Sequence, residues 1–190
     1  MKKITIITPT YNRAKTLPKV FESLLKQSFK DFLWIILDDG STDNTTEVVE
    51  NFQLFNPFFE IIYKKDKNRH KFLTVLEGVK MVKTPYFMVV DSDDIYPEDA
   101  LETLISEVEK IENQDNYVAV MGLSADENGK IVGNQYPNNG FDGSIFEMRY
   151  KHNVRGDKFG IFITKTYQRE ISGKDFSQYE GKGYIPQSVI

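Results

Sequence analysis

Between Tyr86 and Asp94, five mostly apolar residues (Tyr86-Phe87-Met88-Val89-Val90) lead directly into Asp91-Ser92-Asp93-Asp94. A short, continuous, β-prone run reads as a strand buried on both faces. Three carboxylates packed within four positions at its end repel one another and would carry raised pKa values if left unpaired. Two arrangements relieve this. A divalent cation takes oxygen ligands from one or two carboxylates and a phosphate, or Asp93 or Asp94 caps the next helix, with Pro97 near its first turn. In open α/β sheets ligands gather at the carboxyl ends of strands, so the neighbours of this strand decide between them.

The same pattern recurs upstream. Residues 4–8 are a β-branched run that Pro9 is expected to end, followed by the polar loop Thr10-Tyr11-Asn12-Arg13. Thr16 reads as a helix cap with Pro18 in the first turn. Leu17, Val20, Phe21, Leu24 and Leu25 then repeat along one helical face. Residues 33–37 form a second buried strand that runs into Asp38-Asp39-Gly40-Ser41-Thr42-Asp43, with Asp43 as cap of a helix to about Phe52. A loop over 53–58, a third strand over 59–63, the basic loop 64–71 and an apolar helix face from Phe72 to Val82 precede the acidic strand. Strands alternating with helices indicate a parallel, doubly wound sheet.

After Pro97 comes a strongly amphipathic helix through Leu101, Leu104, Ile105, Val108 and Ile111. Residues 117–123 read as a strand, with the turn Asp126-Glu127-Asn128-Gly129 opening a hairpin toward Ile131. Residues 133–143 are a loop, 159–164 a strand, 166–171 a short helix and the last ten residues a loop. His152 reads as a surface histidine.

The 190 residues suffice for one α/β domain with a real core and not for two. With no cysteine, disulfides, thiolate metal sites and thiol catalysis are excluded. A net charge of −4 implies no general attraction to nucleic acid. Neither a signal peptide nor a membrane-spanning run of roughly 20 apolar residues is present. A cytoplasmic location is therefore expected, with peripheral contact at the inner face of the membrane left open.

The motifs Thr8-Pro9-Thr10-Tyr11-Asn12-Arg13, Asp38-Asp39-Gly40-Ser41-Thr42-Asp43-Asn44-Thr45 and Asp91-Ser92-Asp93-Asp94, in this order and spacing, closely resemble glycosyltransferase family 2. These are inverting nucleotide-sugar enzymes of the GT-A fold, and the match covers roughly residues 3–105. The resemblance implies a three-layer α/β/α sandwich with a mostly parallel central sheet. Its nucleotide-binding part would span about 1–110 and its acceptor part about 111–190. It implies transfer of a sugar, from a UDP-sugar above all, to a saccharide or lipid-linked acceptor. Thr8, Pro9, Thr10, Tyr11 and Arg13 would line the nucleotide pocket, together with Asp38 and Ser92. Asp39 would accept from the uracil ring nitrogen, and Lys71 occupies a basic position used for the nucleotide. Asp91 would touch the ribose or share the metal shell. Asp93 would ligate Mn²⁺ or Mg²⁺ bridging the diphosphate, and Asp94 stands beside it with no assigned role.

The chain departs from the family pattern in two places. Lys182 and Gln187 stand where many relatives carry acids, which leaves Glu180 and Asp175 as candidate general bases. In Asn68-Arg69-His70-Lys71-Phe72 relatives often have Gly-Gly-Lys-His. Relatives also usually continue with further helices, so the chain is expected to be either a truncation or an enzyme with a minimal acceptor side. The competing reading is a degenerate domain that binds nucleotide or sugar without turnover. A phosphoacceptor receiver domain fits poorly, lacking a convincing lone Asp after the middle strand and a partner Lys on a late one.

Overall fold

The structure, a computed structural model, describes residues 2–180. In chain order its elements are β1 (Ile4–Thr10), α1 (Leu17–Lys26), β2 (Phe32–Asp38), α2 (Thr45–Phe55), β3 (Glu60–Lys65) and α3 (Lys71–Met81). Then come β4 (Tyr86–Val89), α4 (Ala100–Glu109), β5 (Ala119–Leu123), β6 (Lys158–Ile163) and α5 (Thr164–Ile171). The strands form a six-stranded sheet of order β3-β2-β1-β4-β6-β5. β1, β2, β3 and β4 are parallel, and β6 runs antiparallel to β4. The chain divides into two units, one holding residues up to Val120 and from Ile161 onward, the other Met121–Gly160.

In the larger unit the sheet is covered on both faces. Ile7, Ile35, Leu37 and Phe87 pack with Leu73, Leu76 and Val79 of α3 and Ile171 of α5. Gly78 makes this approach possible: a Cβ there would lie 2.7 Å from Leu37 Cδ1 and 2.8 Å from Ile7 Cγ2. The other face carries an aromatic cluster of α1, α2 and β2, in which Phe21 stacks on Phe52 at 4.2 Å and lies 6.1 Å from Trp34. The buried Trp34 donates Nε1–H to Thr8 Oγ1 at 2.9 Å, which satisfies its one polar atom.

Several expected boundaries move. Pro9 does not end β1, which stays paired with β2 through Thr10↔Asp38. Residues 7 and 9 face β4, and the last bond on that side is Val90 N–H to Ile7 O, so the donor that proline lacks has no acceptor to miss. α2 runs to Phe55, past the expected loop start, and stops where Asn56 precedes Pro57. Thr16 precedes α1 but makes no capping bond; the turn closes through Leu17 N–H to Arg13 O. Asp43 does cap α2, accepting from Thr45 N–H at 3.1 Å and Thr45 Oγ1 at 2.6 Å. Asp93 and Asp94 do not cap the following helix, because α4 begins only at Ala100.

The smaller unit has the expected hairpin turn, with Asp126 N–H on Lys130 O and Ala125 bridged to Ile131. It also contains a π-helical turn over Glu147–Lys151 that no sequence periodicity signalled. His152 is exposed and meets the Phe141 ring edge-on, consistent with a surface histidine.

Candidate active site

Strand order reverses between β1 and β4, which makes their carboxyl ends the switch point of the sheet. Three loops leave the sheet around it, after β1, β2 and β4, and a fourth, residues 66–70, joins β3 to α3.

The β1 and β2 loops are fastened together by Asn12, which adopts a left-handed backbone (φ 53°) open to asparagine. Asn12 Oδ1 accepts from Thr42 N–H at 2.7 Å, and its own N–H donates to Ser41 Oγ at 2.8 Å. Arg13 N–H donates to Thr45 Oγ1, and Ala14 N–H to Asp43 Oδ2. Burial alone would raise the Asp43 carboxyl, but the bonds from Thr45 and Ala14 outweigh it and hold it below the usual aspartate value.

Asp38 and Asp39 are both buried, yet they are used differently. Asp38 spends both oxygens inside the protein: Oδ1 accepts from Ser41 N–H at 2.7 Å and Oδ2 from the Tyr63 hydroxyl at 2.5 Å. Burial, then that bond, pushes the Tyr63 hydroxyl well above the ordinary tyrosine value. Asp39 is held through one oxygen only. Oδ1 accepts from Arg69 N–H at 2.7 Å and from Thr74 Oγ1 at 2.8 Å. Asp39 Oδ2 has no hydrogen bond among the described residues and is the oxygen left to a cleft lined by Asp39, Lys64, Asp66, Lys67, Arg69 and Thr74. Gly40 lets the β2 loop pass beneath this segment: its φ is 87°, and a Cβ would meet Asn68 N at 3.0 Å.

After β4 the chain turns through Asp94 N–H to Asp91 O. Asp91 is half-buried and pairs with Lys71 Nζ at 2.5 Å; Asp93 is exposed and lies 3.7 Å from Arg13 Nη2. Exposed pairs like these contribute at most about 1 kcal/mol, so either partner can be drawn away at small cost. Tyr96 is buried behind them, and burial together with the nearby Asp94 and Asp91 charges raises its hydroxyl far above the ordinary value.

The structure thus joins Arg13 to Asp93, Lys71 to Asp91, and Thr10 O to Asp39 N–H, at the carboxyl ends of β1, β2 and β4 and the start of α3. Tyr11 is 47% exposed beside them and Ser92 is buried. Thr8 is fully buried and its hydroxyl oxygen accepts from Trp34 Nε1–H, while Thr10 Oγ1 is buried with no partner among the described residues. Glu180 reaches the same region, its Oε1 lying 3.2 Å from Lys67 Nζ and 4.0 Å from Arg69 Nε. Phe176 and Tyr179 stack edge-on against Phe72 and carry it there. Asp175 instead caps the turn Ser177–Tyr179 by accepting from Ser177 N–H at 2.9 Å, which lowers its carboxyl below the usual value. Lys182 and Gln187 lie outside the described residues. Sequence reasoning did not single out Asn12, Tyr63 or Thr74, nor the fixing of Asp39 by the Arg69 backbone. Only Asn12 carried a signal, as a residue type that tolerates left-handed turns.

GlyG, a glycosyltransferase of Streptococcus pneumoniae, is 33% identical over 107 residues, 56% of this chain and 35% of that protein. The chain spans well under half the length of curated relatives it matches. Crystalline S. aureus TarS 1–349 in complex with UDP-GlcNAc superposes with a TM-score of 0.59 at 22% identity, over 88% of this chain and 47% of that one. The mannosyltransferase PcManGT from Pyrobaculum calidifontis, in complex with GDP-Man and Mn²⁺, gives 0.63 at 17% identity, over 92% and 48%. Both neighbours share the mixed α/β architecture, and the expected GT-A fold is met. The Glycosyl transferase family 2 profile matches residues 5–172, nearly the whole described chain, and the protein belongs to that family.

Proposed function

We propose that the chain forms the donor-binding domain of an inverting glycosyltransferase that moves a sugar from a UDP-sugar to a saccharide or lipid-linked acceptor. The observation that carries the reading is Asp39 Oδ2, without a hydrogen bond among the described residues, on a residue that lines a cleft with Arg69 and Thr74. A buried carboxylate that accepts from a ring N–H discriminates well, because a base without that donor leaves it unpaired. Arg13 and Lys71 meet the diphosphate as its charge develops on departure. Residues from about 111 onward are proposed to serve the acceptor side.

Asp91 and Asp93 are the residues that would hold Mn²⁺ or Mg²⁺. No group of three or more His, Asp or Glu side chains converges among the described residues. The donor set therefore fits a cation that completes its shell with diphosphate oxygens and water. Bound there, it would supply Lewis-acid neutralisation of the leaving group.

Attack by an acceptor hydroxyl needs a base within hydrogen-bond reach. Glu180 is the nearer candidate, and its engagement by Lys67 and Arg69 supports the second reading, a domain that binds donor without turnover. Titration calorimetry with UDP, with and without Mn²⁺, followed by incubation with a panel of UDP-hexoses, tests both. The enzyme reading expects Mn²⁺ to tighten UDP binding about tenfold or more, Asp93→Ala to abolish that gain, and at least slow hydrolysis of one donor. Metal-dependent binding without hydrolysis or transfer supports the binding domain. Equal UDP binding by parent and Asp93→Ala, with or without Mn²⁺, refutes the metal assignment.

A further inference from the structure

We propose that Thr74, with the Arg69 backbone N–H, is a positioning residue that turns Asp39 so that one carboxylate oxygen alone meets the base, and that this selects uridine over guanosine and cytidine donors. The inference rests on the nucleotide-sugar reading above and deepens it. The family fold alone does not decide the matter, since one structural neighbour holds UDP-GlcNAc and another GDP-Man.

Both partners of Asp39 Oδ1 are donors, at 2.7 and 2.8 Å. Thr74 is nine-tenths buried, on the first turn of α3, and Asp39 is 6% exposed, so neither side chain swings freely. The Thr74 hydroxyl has one proton; it lies nearer Asp39 Oδ1 than His70 O, at 2.8 against 3.2 Å. Oδ2 is therefore the single acceptor presented to a ligand. Uracil offers a single N3–H flanked by two carbonyls, which matches one acceptor. Guanine offers adjacent N1–H and N2–H donors that pair best with both oxygens of a carboxylate. Here one of the two is already engaged, so guanine's second donor goes unpaired, at a cost. Cytosine presents a lone pair at N3 and meets Oδ2 with repulsion.

The clamp also dictates what an amide would do at this position. In Asp39→Asn the oxygen must stay at Oδ1, because both of its partners donate. The NH₂ then replaces Oδ2 and faces the base as a donor, which suits cytosine N3 and opposes uracil N3–H.

The test measures dissociation constants for UDP, GDP and CDP on the parent, Thr74→Val, Thr74→Ser and Asp39→Asn, with unfolding midpoints recorded for each. The parent is expected to prefer UDP by at least about tenfold, the worth of roughly one buried bond. Thr74→Val lets the carboxylate rotate and shrinks the UDP:GDP ratio by about tenfold; Thr74→Ser restores it. Asp39→Asn reverses the UDP:CDP preference. A purely structural role for Thr74 would lower the midpoint while leaving the ratios unchanged, and that result overturns the inference. If Thr74→Val does not fold, Asp39→Asn decides: continued preference for UDP over CDP overturns the clamp. A parent without uridine preference overturns the donor reading itself, and the inference with it.

Discussion

Gln27 offers the sharpest test of how the acidic loop is held. It is 1% exposed at the end of α1, where it stands in for the cap that α4 lacks. Its Nε2 donates to Pro97 O at 2.6 Å and to Ser23 O at 3.2 Å, and its Oε1 accepts from Leu101 N–H at 3.1 Å. Leu101 N–H is among the first donors of α4 and has no partner within its own helix. Gln27→Met keeps the shape and removes both functions. Leu101 N–H is then left buried and unpaired, at about 1–3 kcal/mol, while Pro97 C=O, which keeps the Ala100 N–H, and Ser23 C=O each lose one donor, at about 1 kcal/mol each. The added apolar burial returns about 1 kcal/mol. The net loss is about 2–4 kcal/mol. At about 2–4 °C per kcal/mol for a chain of this size, the unfolding midpoint should fall roughly 5–15 °C. Thermal and urea unfolding followed by circular dichroism measures this, with an unchanged denaturant slope as the sign that only the native state is affected. Hydrogen exchange at the Leu101 amide should accelerate by the same free energy. A Met variant that unfolds within about 1 °C of the parent would show that water or a rearranged loop serves these groups, and the capping role would be wrong.

Two further outcomes are expected. His70 holds φ 68° and ψ 150°, a region that costs non-glycine residues about 1–3 kcal/mol, so His70→Gly should stabilise the fold by about 1 kcal/mol after glycine's entropy cost; a lower midpoint in the same melts would show that the imidazole contributes packing. The hydroxyls of Tyr63, Tyr86 and Tyr96 are raised above the ordinary 10, chiefly by burial, so above that pH the unfolded chain binds fewer protons than the folded one and stability falls as pH rises. Ultraviolet titration should find these tyrosines ionising only as the protein unfolds, and a smooth titration at ordinary values would contradict it.

What could be read from residue order was what depends on near neighbours. The β-branched runs that became β1, β2 and β4 and the apolar spacing along α1, α3 and α4 carry their own periodicity. Asp43, capping its own helix two residues on, is equally local. Pro9 was misjudged because its effect depends on where β4 stops, eighty residues away. Gln27 and Leu101, Tyr63 and Asp38, and Thr74 and Asp39 are pairs separated by 74, 25 and 35 residues. A glutamine or threonine on a helix has no pattern that announces such a partner. The site follows the same division: acids at strand ends were visible, but that Asp38 is consumed internally while Asp39 keeps an oxygen free depends on which loop folds over which.

The proline in β1 has one more effect. Past Ile7, the strand edge that looks toward β4 offers no amide hydrogen at position 9, so the two ribbons part like the blades of opened scissors without stranding a donor there. Arg13 and Asp93, in the loops that follow the two strands, meet again across this parting at 3.7 Å.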